Sequence, residues 1–454
     1  MKPSLVPAVS RDYFEDLSKK AIGALGPNEY LFLVLDVECS QFVRFNKGVR
    51  QTGVIDDASV EVTLVLESSP GVLKRASREI SLSGISYQDR EAIREAVGIL
   101  RVEVPGLPQD PFAELPKDPG SSTTVKTGNL LPTESVPANI LDAVGDNVDL
   151  AGIYAAGPVI RGMANSAGLI HWFSSEFFSF DYSLYTSAQR AVKGIYGGSE
   201  WNDDDFRRSI SSALQKLKLL ERQPRKIGRG SYRTFLEPAA VGALIEMFSW
   251  GAIGESSIRQ GESPLRWLRG GEKKLSPRFS LAEDFSRGQT PRFNQLGELA
   301  PERLILIDKG ELAHSLVSSR SSKEYGVSGN AAEMNEALRA PSVAPGTLEQ
   351  GECLGRLGTG LHVSNLHYLN WSDQSGGRIT GMTRYACFWI ENGKIVAPIE
   401  NMRFDDSIFQ LFGSNLEELT RACEFLPESG TYDKRSVGGV RVPGMLVSGM
   451  QFTL

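Results

Sequence analysis

Asn392-Gly393, set between the β-rich runs 385–390 and 395–399, is the strongest local constraint in this sequence. Asn-Gly readily occupies the two positive-φ positions of a type I′ turn, whose twist matches the strands it joins, so the stretch is committed to an antiparallel hairpin. A second hairpin signal lies upstream, where the runs 304–307 and 312–317 flank Asp308-Lys309-Gly310. Helical spacing is clear just before this region, at 238–248, which opens on Pro238 at a position where the missing N–H is not needed. Beyond 248 the sequence is mostly strand and turn, and the C-terminal part is expected to be largely antiparallel β, barrel-like or sandwich-like. The stretch 254–301 is long, charged and punctuated by Gly and Pro, which marks a functional or mobile loop.

The preceding sequence alternates helix and strand signals. Residues 11–25 carry Phe14, Leu17, Ala21, Ile22 and Leu25 at helical spacing, stopped by Gly26-Pro27. Short β runs follow at 30–37, 42–45 and 60–66, with Asn46-Lys47-Gly48 as a hairpin turn. A helix is expected over 86–101, where Ser86 and Asp89 resemble a capping box. The Pro-rich stretch 104–136 is a connection, 137–144 a short helix, 150–186 two strands and 203–220 a strong amphipathic helix. The basic stretch 222–229 is expected to be a linker. A chain of 454 residues exceeds one ordinary core. The expectation is an α+β protein with an N-terminal α/β domain of mixed sheet and helices (1–221) and a C-terminal mostly β domain (230–454).

The composition excludes several classes of function. With 41% hydrophobic and 23% charged residues the chain is globular rather than disordered. A net charge of -6 supplies no basic field for phosphate backbones, so nucleic acid is not an expected partner. Cys39, Cys353, Cys387 and Cys423 are scattered singly, which fits reduced thiols in the cytoplasm. The N-terminus has no signal-peptide pattern and no apolar run reaches membrane-spanning length, so a soluble protein without a membrane partner is expected.

No catalytic constellation stands out. None of His171, His314, His362 and His367 is followed by Glu or lies three residues from another, so an HExxH zinc helix is absent. His362 and His367 lie five apart in what reads as one strand, which sends their side chains to opposite faces. No GxSxG elbow or Walker motif is present, and Gly228-Arg229-Gly230 reads as turn chemistry. Asp203-Asp204-Asp205 sits at a helix N-terminus, where carboxylates favour the dipole. The aromatic run Trp172, Phe173, Phe177, Phe178, Phe180, Tyr182 and Tyr185 reads as a strand packed on a core.

Several segments, in chain order, resemble the TldD/PmbA family. Ala164-Asn165-Ser166-Ala167-Gly168 resembles its NSxG strand, Asp308-Lys309-Gly310 with Leu312 its KGxL hairpin, and Gly329-Asn330-Ala331 its GN(A) loop. The fullest likeness joins 361–366, similar to LxVTxL, with Gly381, Phe388-Trp389-Ile390-Glu391-Asn392-Gly393 and Pro398-Ile399. TldD-type members resemble zinc peptidases with HExxxH on the helix that begins the second domain. Aligned on Pro238, this chain has Glu246 at the first ligand, Met247 at the general base and Gly251 at the second ligand. That departure resembles the PmbA- or TldE-type branch.

The resemblance implies a non-catalytic, metal-less subunit of a TldD/TldE-type metallopeptidase complex that proteolyses unfolded or modified peptides. It implies no cofactor in this chain and zinc in a TldD-like, HExxxH-bearing partner, as a heterodimer; a homodimer is the other arrangement. The alternative is a stand-alone peptide-binding or regulatory protein of the family, and whether the chain is an enzyme in its own right stays open. A hydrolase built on His314 or His362 has no support beyond the presence of those residues. Peptide is expected to bind a strand edge at Leu361, His362, Val363, Ser364 and Asn365, whose alternating side chains would leave one face for a ligand.

Overall fold

The computed structural model describes residues 7–118, 120–431 and 434–453. Its N-terminal half is built on a seven-stranded sheet. In chain order the elements are α1 (Arg11–Gly23), β1 (Glu29–Asn46), β2 (Gly48–Ser69), β3 (Val72–Ser81), α2 (Ser86–Glu103), β4 (Ser122–Lys126), α3 (Val136–Val144), β5 (Asp149–Asn165), β6 (Ile170–Tyr185), β7 (Ala191–Gly198) and α4 (Asp203–Leu220). The strand order is β3-β2-β1-β5-β6-β4, with β7 also on β6. All pairings are antiparallel except β4 on β6, which makes the sheet mixed.

The hairpin at Lys47 forms as expected, with Lys47 at φ 63°. The runs 30–37 and 42–45, expected as separate strands, are one: residues 38–41 stay paired to 54–57 of β2, and the ladder carries the chain through its polar residues. Ser86 does not cap α2. Ile85 is the N-cap without a side-chain bond, and the buried Asp89 reaches back instead. Its carboxylate accepts the Ser83 N–H at 2.7 Å, the Gly84 N–H at 3.0 Å and the Tyr13 hydroxyl at 2.6 Å, tying α2 to α1.

The C-terminal half carries a thirteen-stranded sheet. Its strands are β8 (Gly230–Leu236), β9 (Leu281–Asp284), β10 (Arg303–Asp308), β11 (Glu311–Leu312), β12 (Pro341–Val343), β13 (Gly360–Val363), β14 (Asn365–Asp373), β15 (Arg378–Arg384), β16 (Phe388–Glu391), β17 (Lys394–Pro398), β18 (Arg403–Ser407), β19 (Leu416–Pro427) and β20 (Gly439–Phe452). Between β8 and β9 lies α5 (Pro238–Glu246). Pairing is largely antiparallel; β12 with β20 and β13 with β8 are parallel. Of the two forms expected, barrel-like or sandwich-like, a closed barrel does not form. β20 exchanges partners along its length, meeting β19, β12, β8 and β18, and the sheet branches there rather than closing.

The Asn392-Gly393 turn is as read, with φ 50° and 72°. The stretch 254–301, expected as a loop, holds short helices at Glu255–Arg259 and Arg266–Arg269 and the strand β9. Ile258, Leu265, Phe279 and Leu281 anchor it in the core, too widely spaced to show a period.

The two halves share packing. Phe206, Ile210, Ala213 and Leu217 of α4 belong to one apolar cluster with Phe178 and Phe180 of β6, Phe235 of β8 and Phe388 of β16. The aromatic run of β6 is the expected core strand, with Phe178 and Phe180 fully buried. Among the described residues no helix is long and apolar enough to cross a membrane.

Candidate functional site

A cleft of about 930 Å³ separates the halves. One wall is the N-terminal sheet, contributing Asp36 of β1, Arg161 of β5, Asp181 of β6 and Lys193 of β7. The other is α5, which presents Ala239, Gly242, Ala243 and Glu246 to the cleft. That spacing is a single helical stripe. The opposite face, Ala240, Val241, Leu244 and Ile245, is buried in the C-terminal core. Gly242 is what lets the helix sit so low: a Cβ there would lie 2.9 Å from Leu426 and 3.1 Å from Val440.

The connection from β19 to β20 lines the cleft with Glu428, Ser429, Ser436 and Val437 and is anchored on the N-terminal sheet by Arg435, whose residue surface is 2% exposed. Its N–H donates to Glu38 Oε2 at 2.7 Å and its guanidinium to Ser40 Oγ at 3.0 Å and to the Phe177 carbonyl at 2.9 Å. The guanidinium also lies over the Phe177 ring, 4.0 Å from its centroid. It enters where the β1–β5 ladder is interrupted, between Glu38↔Val159 and Gln41↔Ala156. Burial lowers its pKa to about 10, which still leaves it charged at neutral pH.

Most charges facing the cleft are paired. Arg161 holds Asp36 at 2.7 Å, Lys193 holds Asp181, and Arg339 lies 3.5 Å from Glu333. Among the described residues Glu246 and Glu428 have no ion-pair partner: burial, and then repulsion from Glu428, raise the pKa of Glu246, and no base offsets either effect.

Zinc needs three or four converging donors, and the family's metal does not fit the residues at the end of α5. The α-helix ends at Glu246 and tightens to a 3₁₀ turn at Met247–Ser249. Met247 is 1% exposed and points into the core. Gly251 has left the helix in a left-handed turn at φ 76°, and a Cβ there would lie 2.6 Å from Gln374 Nε2. A side chain at 251 therefore cannot share a ligand face with 246. Among the described residues no group of three His, Cys, Asp or Glu could hold a metal ion.

The expected peptide edge is overturned for most of its length. β13 is a central strand, with Leu361, His362 and Val363 beside β8 on one side and Leu361 and His362 beside β16 on the other. Its main-chain groups are spent within the sheet, and Leu361, His362, Val363 and Ser364 are buried. Alternation showed two faces but not which edges were taken. Only Asn365 reaches the cleft. His362 and His367 also lie on separate strands, β13 and β14, rather than one.

His362 meets Glu237 instead, Nε2 to Oε1 at 3.2 Å, and Lys216 Nζ donates to the same oxygen at 2.5 Å. Burial lowers the histidine's pKa despite Glu237. Burial opposes ionisation of Glu237, but Lys216 and His362 outweigh it and keep the carboxyl below its usual range. The trio ties α4, the start of α5 and β13 together. His314 bonds the Ile305 carbonyl through Nδ1 at 2.8 Å, and His171 lies buried between Ser122 Oγ and the Gly297 carbonyl. The cleft residues from the N-terminal half were missed. Asp36 and Glu38 inside the apolar run of β1 were the available signal, since charges in a buried strand need partners.

The site is thus framed by α5, laid across an open, mostly antiparallel sheet, with a second sheet facing it over the cleft. Residues 229–454 match the family model described as the PmbA/TldA metallopeptidase C-terminal domain. Three solved structures share the architecture over nearly the whole chain. TldE from Thermococcus kodakarensis aligns with TM-score 0.74 at 13% identity, covering 97% of this chain and 100% of that one. A candidate modulator of DNA gyrase from Bacteroides thetaiotaomicron gives 0.74 at 16%, covering 98% of each chain. A candidate modulator of a DNA gyrase from Thermotoga maritima gives 0.73 at 14%, covering 97% and 100%. At these identities the likeness is one of fold. No curated protein matches the chain in sequence. The chain belongs to the TldD/PmbA family.

Proposed function

We propose that this chain is the metal-less subunit of a TldD/TldE-type peptidase complex acting on unfolded or modified peptides, with zinc and the general base supplied by an HExxxH-bearing TldD-like chain. The observation that carries this reading is the cleft face of α5, which offers three small residues and one carboxylate, Glu246, while among the described residues no group of three metal-ligating side chains converges. Small side chains leave room for an extended main chain. The chain's place is in the cytoplasm, where four cysteines that are all unbonded stay reduced.

Mixing the purified chain with its HExxxH paralogue tests the reading. Chelator-sensitive cleavage of an unfolded peptide is expected from the mixture and from neither chain alone, and Glu246→Gln in this chain should leave that activity nearly intact. Cleavage by this chain alone, or its abolition by Glu246→Gln, would make the chain itself the enzyme.

A further inference from the structure

A second cavity, of about 710 Å³, opens in the C-terminal half between the short helix Arg266–Arg269 and the segment 310–317 that contains β11. It shares no lining residue with the cleft, and the two differ in sign. The cleft is lined by five acids against three arginines and lysines, whereas this cavity sets Glu255 and Glu311 against Arg259, Arg269, Lys273 and Lys274. In a chain of net charge -6 that is a local reversal, and concave walls of low dielectric concentrate it.

Glu255 gathers both arginines. Its Oε1 accepts from Arg259 Nε at 2.7 Å and from Arg269 Nη1 at 3.1 Å, and its Oε2 from Arg269 Nη2 and Ser315 Oγ at 2.5 Å each. The carboxylate is buried, while the side chains of Arg259 and Arg269 stay 45% and 36% exposed. Among the described residues the two Nη groups of Arg259 have no hydrogen-bond partner, and two guanidinium charges on one carboxylate leave one positive charge over. Lys274 is matched by Glu311 at 3.2 Å. Lys273 forms no ion pair among the described residues; its Nζ lies 4.4 Å from the centroid of the Phe409 ring, a contact that does not cancel its charge. The cavity thus keeps an excess of two positive charges.

An excess of that size selects the ligand. A carboxylate brings one negative charge, but a phosphate monoester brings about 1.5 to 2 at neutral pH, with three acceptor oxygens for the paired N–H groups of a guanidinium. The cavity is also in the size range of small-molecule sites rather than of a bare ion, and Leu268, Leu312 and Val327 give it an apolar side. We propose that this cavity binds a small phosphate monoester, with the phosphate on Arg259, Arg269 and Lys273 and the organic body against the apolar side.

Calorimetric titration of the full chain with phenyl phosphate, inorganic phosphate and benzoate, at equal ionic strength, tests the proposal. Phenyl phosphate should bind roughly tenfold or more tightly than either of the others, because phosphate lacks the apolar body and benzoate the second charge. Lys273→Glu and Arg259→Gln, each with unchanged circular dichroism, should each weaken phenyl phosphate by roughly tenfold or more. Both variants spare the fold: Lys273 is exposed, and Glu255 keeps Arg269 and Ser315 when Arg259 is gone. No binding of phenyl phosphate, inorganic phosphate or benzoate bound as tightly as the ester, or wild-type affinity in both variants would each overturn the proposal. Peptide cleavage is not the readout, so failure here leaves the reading of the cleft as it stands.

Discussion

Glu246 and Glu255 stand on either side of one turn and have opposite surroundings. Glu255 is 3% exposed and fully engaged: Arg259 Nε reaches one oxygen at 2.7 Å, and Arg269 Nη2 and Ser315 Oγ reach the other at 2.5 Å each. Glu246 faces the cleft with Glu428 as the neighbour that shifts it. Burial alone would raise the pKa of both. Hydrogen bonds from Arg269, Ser315 and Arg259 reverse it at Glu255, holding that carboxyl at about 2. The difference separates a carboxylate that builds the fold from one left available, and it shows that a carboxylate near the family's metal position is not by itself a metal site.

The largest expected effect is from Glu255→Gln, which strands two arginines. Their heads reach solvent, so the cost should be about 2–3 kcal/mol rather than the full penalty of a buried orphan charge, read by urea denaturation at neutral pH. The wild type should show the linked pH dependence. With a folded pKa of about 2 against 4.5 unfolded, the contribution of Glu255 is complete above 4.5 and is lost as pH falls from 4.5 towards 2. The Glu255→Gln protein should lack that part of the acid slope, and an identical slope in both proteins would remove Glu255 from the account.

Gly251→Ala comes next, at about 1–2 kcal/mol, because it puts a Cβ at φ 76° and against Gln374. A neutral result in the same denaturation experiment would mean that the turn can relax, and that a ligand at 251 is not excluded by geometry. Glu246→Gln should have the smallest effect, within about 0.5 kcal/mol at neutral pH. Its sign is set by the raised pKa: the folded carboxyl holds its proton more tightly than the unfolded one, so ionisation as pH rises costs stability, and Gln removes that cost. A clear destabilisation would reveal a partner for Glu246.

Helix positions, the turns at Lys47 and Asn392-Gly393, and the family itself were legible because each is written in adjacent residues. The residues that carry the resemblance are themselves turn-builders. Asn165 Oδ1 takes the N–H groups of Ala167 and Leu169, and Asn330 bridges the Val317 N–H and the Ser315 carbonyl. The site was less legible because it depends on pairing between distant segments. Alternation in 361–366 shows two faces but cannot tell a central strand from an edge. The Arg435 contact joins residues far apart in the chain, and its local trace is Glu38 in the apolar run of β1.

Zinc stoichiometry tests the central claim most directly. The full chain, incubated with excess zinc, separated from free metal by gel filtration and taken to elemental analysis, should retain far less than one zinc per molecule, because Met247 is in the core and Gly251 is off the helix. Retention of about one zinc per chain that survives a weak chelator, and its loss in Glu246→Gln, would contradict the account.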